Sequence, residues 1–525
     1  MMRPQIRFLL LGVMTTSLTA CGVNPVTGKQ ELQFVSEAAE LQIGEQNYAP
    51  TRQGEGGDFA LDPSLTAYVN EVGQKLAAVS DRKLPYEFVV LNNSVPNAWA
   101  LPGGKIAVNR GLLTELNNEA ELAAVLSHEI VHAAARHGAK AQERGTLLQA
   151  GMVAAQIGLA TSNVDGNLGN LAIQGAGVGA QLVQTKYGRE QELESDRYGM
   201  VYMQRAGYNL NAAVTLQQTF LRLSVAQGRN QNWLEGLFAS HPPSAERVAT
   251  NQATSTELGG SGGELGVERY AVKTAELRKL KPAYDKYDQA LAAVNKKDLV
   301  GAKKLAAEAA QLLPPEARFA QLLGDIAMSQ QQPKEAVAAY EKAIALDANY
   351  FGPYLGGGIA QFKLGDKAKA EKWLKKSASL LPTAPAAYYL GSIAKDRGDV
   401  AGAMQLYQSA STSQSEYGQL AVAEFQRMDV GQNPGNYIAT AVQQDAAGRV
   451  LFALQNRAQL TVTNLEVIPV LLDSFGRVVQ QGQRRSLRVT LRSGETMVVD
   501  SGLGVMSAEQ VALMRVSVSS VQLVP

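Results

Sequence analysis

Residues 128–132 read His128-Glu129-Ile130-Val131-His132, and the rest of the chain is interpreted outward from them. On a helix, positions i and i+4 stand one above the other on the same face. Both imidazoles can therefore reach one metal ion, with Glu129 beside an open coordination position. The 525-residue chain holds only four histidines, so two at this spacing around a glutamate are a specific signal. The stretch leading in, Glu119-Ala120-Glu121-Leu122-Ala123-Ala124-Val125-Leu126, consists of strong helix formers and predicts the helix that the geometry requires.

A catalytic zinc needs a third protein ligand. The candidate lies in Glu190-Gln191-Glu192-Leu193-Glu194-Ser195-Asp196-Arg197, where Glu192 and Asp196 are again four apart. One carboxylate can bind the metal while the other orients a histidine through its free ring nitrogen.

These motifs come in a fixed order. His128 to His132 is followed by the Glu192-x-x-x-Asp196 helix ending in Asp196-Arg197, then by His241-Pro242-Pro243-Ser244-Ala245-Glu246-Arg247. Upstream lie Asn97-Ala98-Trp99-Ala100-Leu101-Pro102-Gly103-Gly104-Lys105-Ile106-Ala107-Val108, Gly111-Leu112-Leu113 and Asn24-Pro25-Val26-Thr27-Gly28. Together they resemble the gluzincin zinc peptidases related to the CAAX prenyl proteases, over roughly residues 24 to 250. The resemblance implies one Zn2+ per chain on His128, His132 and Glu192, and hydrolysis of peptide bonds. It makes Glu129 the base that takes a proton from the attacking water. Asp196 would fix the tautomer of His128 or His132.

Two histidines remain. His241 precedes two prolines, which exclude helix there. It either closes a turn at the end of the peptidase domain, or sits near the zinc as an oxyanion donor or a resting-state occupant of the open position. His137 falls off the ligand face and is expected to be structural. Trp99, Ala100 and Leu101 have strand composition and form a hairpin with Lys105 to Val108 across a turn. An exposed edge there could accept an extended substrate as one more strand.

The N-terminus reads as an export signal. Arg3 and Arg7 precede the apolar run Phe8 to Met14, and Leu18-Thr19-Ala20-Cys21 follows. That run is too short to span a bilayer, which takes about 20 apolar residues. Leu18 to Cys21 resembles a bacterial lipobox, so residues 1–20 are expected to be a lipoprotein signal peptide and Cys21 the lipid-bearing first residue. The membrane is then met through an N-terminal lipid. Gly22 after the cysteine favours the periplasmic face of the outer membrane. Cys21 is the only cysteine, so no internal disulfide can form. With 49 basic and 48 acidic residues, nothing points to nucleic acid as a partner.

Residues 145–184, rich in Ala, Gly, Leu and Val, read as a helical hairpin packed on the peptidase, or as a cover over its site. Thr256 to Gly263 has the composition of a flexible linker. Beyond it a period of about 34 residues appears. Leu323-Gly324, Ala336, Tyr340 and Ala343 recur as Leu390-Gly391, Ala403, Tyr407 and Ala410, with Gly358, Gly365, Ala370 and Pro382 between them. This predicts about four tetratricopeptide repeats stacked into a protein-binding solenoid. After Gly431, short apolar runs separated by turns such as Asp473-Ser474-Phe475-Gly476 predict about seven strands and a small β-sandwich.

The expected chain is thus a multidomain α+β protein. Its parts are a mainly helical zinc peptidase domain (21–254), a linker and connecting helix (255–281), a tetratricopeptide α-solenoid (282–430) and a C-terminal β-sandwich (431–525). A peptidase followed by such repeats resembles periplasmic members of the family that act beside the β-barrel assembly machinery. This implies outer-membrane proteins as substrates. The competing expectation is an assembly scaffold or chaperone that binds through its repeats, with proteolysis silenced or occasional.

Overall fold

The computed structural model describes residues 21–141, 143, 187–226, 241–260 and 262–524. The expected signal peptide and the 145–184 hairpin lie outside the described residues. Two compact units emerge, divided between Ala360 and Gln361.

The first unit opens with a short antiparallel pair, β1 (Cys21–Val23) and β2 (Gln30–Leu32). Helix α1 (Glu37–Gly54) is capped by the Ser36 side chain, and α2 (Pro63–Ala77) by Asp62 with proline at its first position. A three-stranded sheet follows, in the order β3 (Glu87–Leu91), β5 (Lys105–Asn109), β4 (Ala98–Leu101). β3 runs parallel to β5, and β4 is antiparallel to it with Ala98 opposite Val108 and Leu101 opposite Lys105. The turn between β4 and β5 needs its glycines. Gly103 and Gly104 have φ of 80° and 82°, and a Cβ on Gly104 would strike the Tyr86 ring.

After α3 (Arg110–Glu115) comes the helix carrying the metal motif, α4 (Glu119–Ala134), every residue of which is buried. Asn118 caps it, accepting from the Glu121 amide at 2.9 Å. Against it lies α5 (Arg189–Arg205), and the two approach closely at Gly199, where a Cβ would sit 3.1 Å from Ser127 Oγ. Helices α6 (Asn211–Ala226) and α7 (Ala245–Glu257) pack on this pair.

The composition-based linker is not a free tether. α7 runs through the expected boundary at 254 to Glu257. Asn209 N and Glu264 O, then Glu264 N and Gly207 O, bond at 3.1 and 2.9 Å and tie the glycine-rich stretch to the turn before α6. These partners are far apart in sequence, so composition could not reveal them. Nor does the peptidase core stop there. Tyr270, on α8 (Val267–Lys273), is fully buried and donates to the Leu113 carbonyl at 2.7 Å. Tyr284, on α9 (Ala275–Asn295), and Phe319 belong to the same apolar cluster as the α4 side chains. Arg110 lies 3.3 Å from the centre of the Tyr284 ring. The first repeat helices are therefore part of the peptidase body. Tyr270→Ala is expected to destabilise this unit by about 3–5 kcal/mol, the usual cost of emptying a buried aromatic site. Denaturant melts of the full chain check this, and a loss below about 1 kcal/mol would separate the core from α8.

The repeat helices follow in chain order. In the first unit come α9 with α10 (Leu299–Leu312), α11 (Ala317–Ser329) with α12 (Pro333–Leu346), then α13 (Phe351–Lys363), in which the division between the units falls. In the second come α14 (Lys367–Leu380) and α15 (Ala384–Asp396) with α16 (Val400–Ser411). A single helix, α17 (Glu416–Asp429), comes after them. Within the first unit Gly324 faces the Tyr340 ring. Within the second, Gly391 faces Tyr407 in the same way, so the small residues that carried the repeat signature are where the helices touch. Tyr340 also donates to Asp325 Oδ1 at 2.6 Å. Burial pushes the Asp325 carboxyl up to about 6, against the hydrogen bonds from Tyr340 and Gln321. An unfolded aspartate titrates at about 3.9. Its stabilising contribution is therefore complete below about pH 4 and is lost as pH rises through 6. Asp325→Asn is expected to flatten stability over that window and to melt higher than wild type at pH 7. Identical pH profiles for the two proteins would refute this.

The second unit ends in two sheets sharing one apolar core. One sheet has the order β11 (Thr496–Val505), β7 (Arg449–Asn456), β6 (Ile438–Gln444). The other has β10 (Arg485–Leu491), β8 (Val462–Leu472), β12 (Met514–Leu523), with β9 (Val478–Gln481) also on β8. β8 runs as one strand through Asn464, whose φ is 49°. β6 has the weakest apolar signal of these strands, since only Ile438 and Val442 in it are strongly apolar. Among the described residues, no helix is long and apolar enough to cross a membrane.

Candidate metal centre

α4 and α5 present their i, i+4 pairs to one another, and the loop before α7 closes the third side. His128, His132, Glu192 and His241 each offer a ligand atom, all lying within 4.8 Å of one another, and all four residues are buried. His128 Nε2 and His132 Nε2 are 3.0 Å apart, and Glu192 oxygens lie 3.5 and 3.4 Å from them. Tetrahedral zinc, with bonds of about 2.0–2.1 Å to nitrogen, would hold its donors roughly 3.3 Å apart, so this set fits the ion. Three imidazoles and one carboxylate are also the donor types that zinc prefers.

Asp196 resolves the tautomer left open by the sequence. Its Oδ1 lies 2.9 Å from His128 Nδ1, so that nitrogen is the donor and Nε2 keeps its lone pair for the metal. Asp196 is itself held by Arg247, whose Nε and Nη2 donate to its two oxygens at 2.7 Å each, while Nη1 lies 2.8 Å from Glu192 Oε2. One buried guanidinium thus spans the metal-facing carboxylate and the orienting one. It is aimed there by local sequence: Pro242 and Pro243 keep the chain extended, and Ser244 Oγ caps α7 by accepting from the Arg247 amide at 3.1 Å.

The electrostatics follow this pairing. Burial alone would lower His128, but Glu192 and Asp196 raise it to about 9. Burial raises Asp196, and Arg247 and His128 more than reverse this. His132 is held well below its ordinary value by burial. Glu129 is raised, also by burial, with His241 and His128 opposing. Its Oε1 is 3.7 Å from His241 Nε2, and its Oε2 is buried with no hydrogen-bond partner among the described residues. A carboxylate with a free oxygen beside the donor group is placed to hold a proton.

The remaining sequence candidates divide. His241 joins the donor group, with Nδ1 3.0 Å from Glu192 Oε1 and 3.3 Å from His128 Nε2. Trp99, Ala100 and Leu101 lie on β4, an edge strand that packs against α4. Their side chains are buried, so a substrate could find only backbone there. Cys21 lies in β1. Sequence reasoning overlooked Arg247, Tyr187, whose ring stacks on His132 at 3.9 Å, and the partnership of His137 with His132. Arg247 stood in the His241 to Arg247 motif, but its role follows from the burial of Glu192 and Asp196, which requires a nearby cation.

Comparison with known proteins gives a consistent picture. The profile of peptidase family M48 matches residues 63–255, and a TPR repeat profile matches 324–365. The chain is 31% identical over 193 residues to the putative beta-barrel assembly-enhancing protease of Vibrio cholerae, covering 36% of this chain and 39% of that protein. It is 28% identical over 238 residues to the beta-barrel assembly-enhancing protease of Escherichia coli K12, covering 45% and 47%. To the mitochondrial metalloendopeptidase OMA1 of Schizosaccharomyces pombe it is 33% identical over 229 residues, covering 43% and 63%. The chain therefore spans about half the length, or less, of the two bacterial relatives. Family M48 enzymes use zinc, and the buried His-His-Glu-His group suits one ion. Residues 63–255 thus make up a peptidase family M48 domain, in a chain that also carries TPR repeats.

Proposed function

We propose that this protein is a zinc metalloendopeptidase, exported and anchored by a lipid on Cys21 at the periplasmic face of the outer membrane. The observation that carries the catalytic reading is the convergence of His128, His132 and Glu192 around one point, with Glu129 beside it. Zinc supplies Lewis acidity and makes water acidic enough to attack near neutral pH. His128, His132 and Glu192 would hold it, and Asp196 and Arg247 would hold them. Glu129 takes the proton of the attacking water and passes it to the leaving amine. β4 would align an extended substrate by backbone bonds, which favours unfolded segments over any fixed sequence.

By similarity to the beta-barrel assembly-enhancing proteases, its substrates are outer-membrane proteins that fail to assemble, with the repeats recruiting them or the assembly machinery. The direct test is hydrolysis of casein by purified protein, lost on chelation and restored by zinc. No cleavage of any unfolded protein by the zinc-loaded chain would favour the scaffold reading.

His241, inside the donor group and 3.7 Å from Glu129 Oε1, would occupy the open coordination position in the resting enzyme. His241→Ala is expected to retain zinc and to raise casein cleavage several-fold. Unchanged cleavage of every substrate tried would return His241 to the role of a turn residue.

A further inference from the structure

His137 lies five residues beyond His132, off the ligand face, yet the two rings meet. His132 Nδ1 and His137 Nδ1 are 2.9 Å apart, and His137 Nε2 is 3.1 Å from Glu194 Oε1. Both histidine side chains are buried, with His132 and His137 each about 1% exposed, so water cannot replace the bond between the two rings. Two ring nitrogens facing one another share a single proton, and its position has a consequence for the metal. An ionised carboxylate only accepts, so the proton of neutral His137 lies on Nε2, toward Glu194. His137 Nδ1 is then an acceptor, and His132 Nδ1 must be the donor. That leaves the lone pair of His132 on Nε2, the atom 3.0 Å from His128 Nε2 and 3.4 Å from Glu192. The reverse order would put a proton on His132 Nε2 and remove it from the donor group.

We propose that His137 and Glu194 are positioning residues that set the tautomer of His132 and thereby the zinc affinity of the site. The arrangement parallels that of Asp196 on His128, with a histidine relaying the carboxylate across one more ring. α5 therefore supplies three acidic side chains with separate tasks: Glu192 toward the metal, Asp196 toward His128 and Glu194 toward His132 through His137. Tyr187, stacked on His132, fixes the plane of the ring whose proton the relay orders. This inference rests on the reading of the donor group as a zinc site.

The test is the zinc dissociation constant of the full chain, measured by competition with chelators of graded strength, beside the melting temperature of the zinc-free protein. His137→Leu, which removes the acceptor, is expected to bind zinc about 10–100-fold more weakly, the usual cost of losing such a partner. His137→Asn places an acceptor oxygen near the position of Nδ1 and is expected to recover most of that loss. Glu194→Gln, a change at a partly exposed side chain, is expected to weaken binding by a smaller factor. All three zinc-free proteins should melt as wild type does. Wild-type affinity in His137→Leu, or equal loss in the leucine and asparagine variants, overturns the proposal. If His137→Leu melts lower without zinc, Glu194→Gln decides, and wild-type affinity in that variant overturns it. A wild-type chain that binds no zinc overturns the metal-centre reading itself.

Discussion

Glu129→Gln is expected to retain a full zinc complement and to lose at least about a thousandfold in kcat/KM for peptide hydrolysis. Substituting an amide for the carboxylate changes no donor to the metal, since His128, His132 and Glu192 are untouched. Nor should the fold suffer. Glu129 is buried with Oε2 unpartnered among the described residues, so its side chain makes little of the local structure. What disappears is the acceptor for the water proton and the donor for the leaving amine. Positioned acid–base groups are worth about 10²–10⁴ in rate, and here one group serves both steps. Metal analysis and a fluorogenic peptide assay measure the two halves independently. A variant keeping more than a tenth of wild-type activity would place the base elsewhere. The same protein separates enzyme from scaffold in the cell, because a scaffold that works by binding would still complement a deletion strain when carrying Glu129→Gln.

The parts of the site legible in the sequence were those set by helical periodicity. His128 with His132 and Glu192 with Asp196 each needed only a spacing of four and a helix, and α4 and α5 supply the helices. The parts that stayed hidden depend on contacts between elements. His137 was set aside because a straight helix carries it off the ligand face. α4 in fact ends at Ala134 and the chain turns through Arg136, at φ 63°, which swings His137 back beneath His132. Nothing in the local composition announces that turn. Arg247 was in view as a motif residue, but its reach from the first turn of α7 to both Asp196 and Glu192 is a matter of packing.

The same division holds for the domains. The tetratricopeptide signature marked the repeats because Gly324 and Tyr340 recur as Gly391 and Tyr407, at helix contacts that repeat with the chain. The stretch after the peptidase motifs read as a linker because glycine content reads as flexibility unless the partner segment is known. Here the partners are Gly207 and Asn209, on the loop before α6, and Tyr270 beyond the stretch is held by Leu113.

Glu192→Ala is expected to strip the zinc, with activity falling to background. Two effects act together. The donor group loses its only carboxylate, and the buried Arg247 guanidinium loses one of the two anions that balance it. Glu192 is 2% exposed; burial favours its neutral form, yet His241 and His128 hold its carboxyl well below the usual range, so its charge is part of the folded site. Without it, a divalent cation would sit near a buried arginine paired only to Asp196, an arrangement in low dielectric that repels the metal. The opposing possibility is specific. His241 Nδ1 lies close enough to His128 Nε2, at 3.3 Å, to complete a three-imidazole set, and three histidines suffice for zinc in other enzymes. Affinity therefore decides the matter, and Glu192→Gln sharpens it by keeping an oxygen donor while removing the charge. If charge dominates, the glutamine variant binds zinc nearly as poorly as the alanine variant. If donor number dominates, it recovers much of the affinity. Full zinc occupancy in Glu192→Ala would transfer the third ligand to His241 and make Glu192 the partner that orients it.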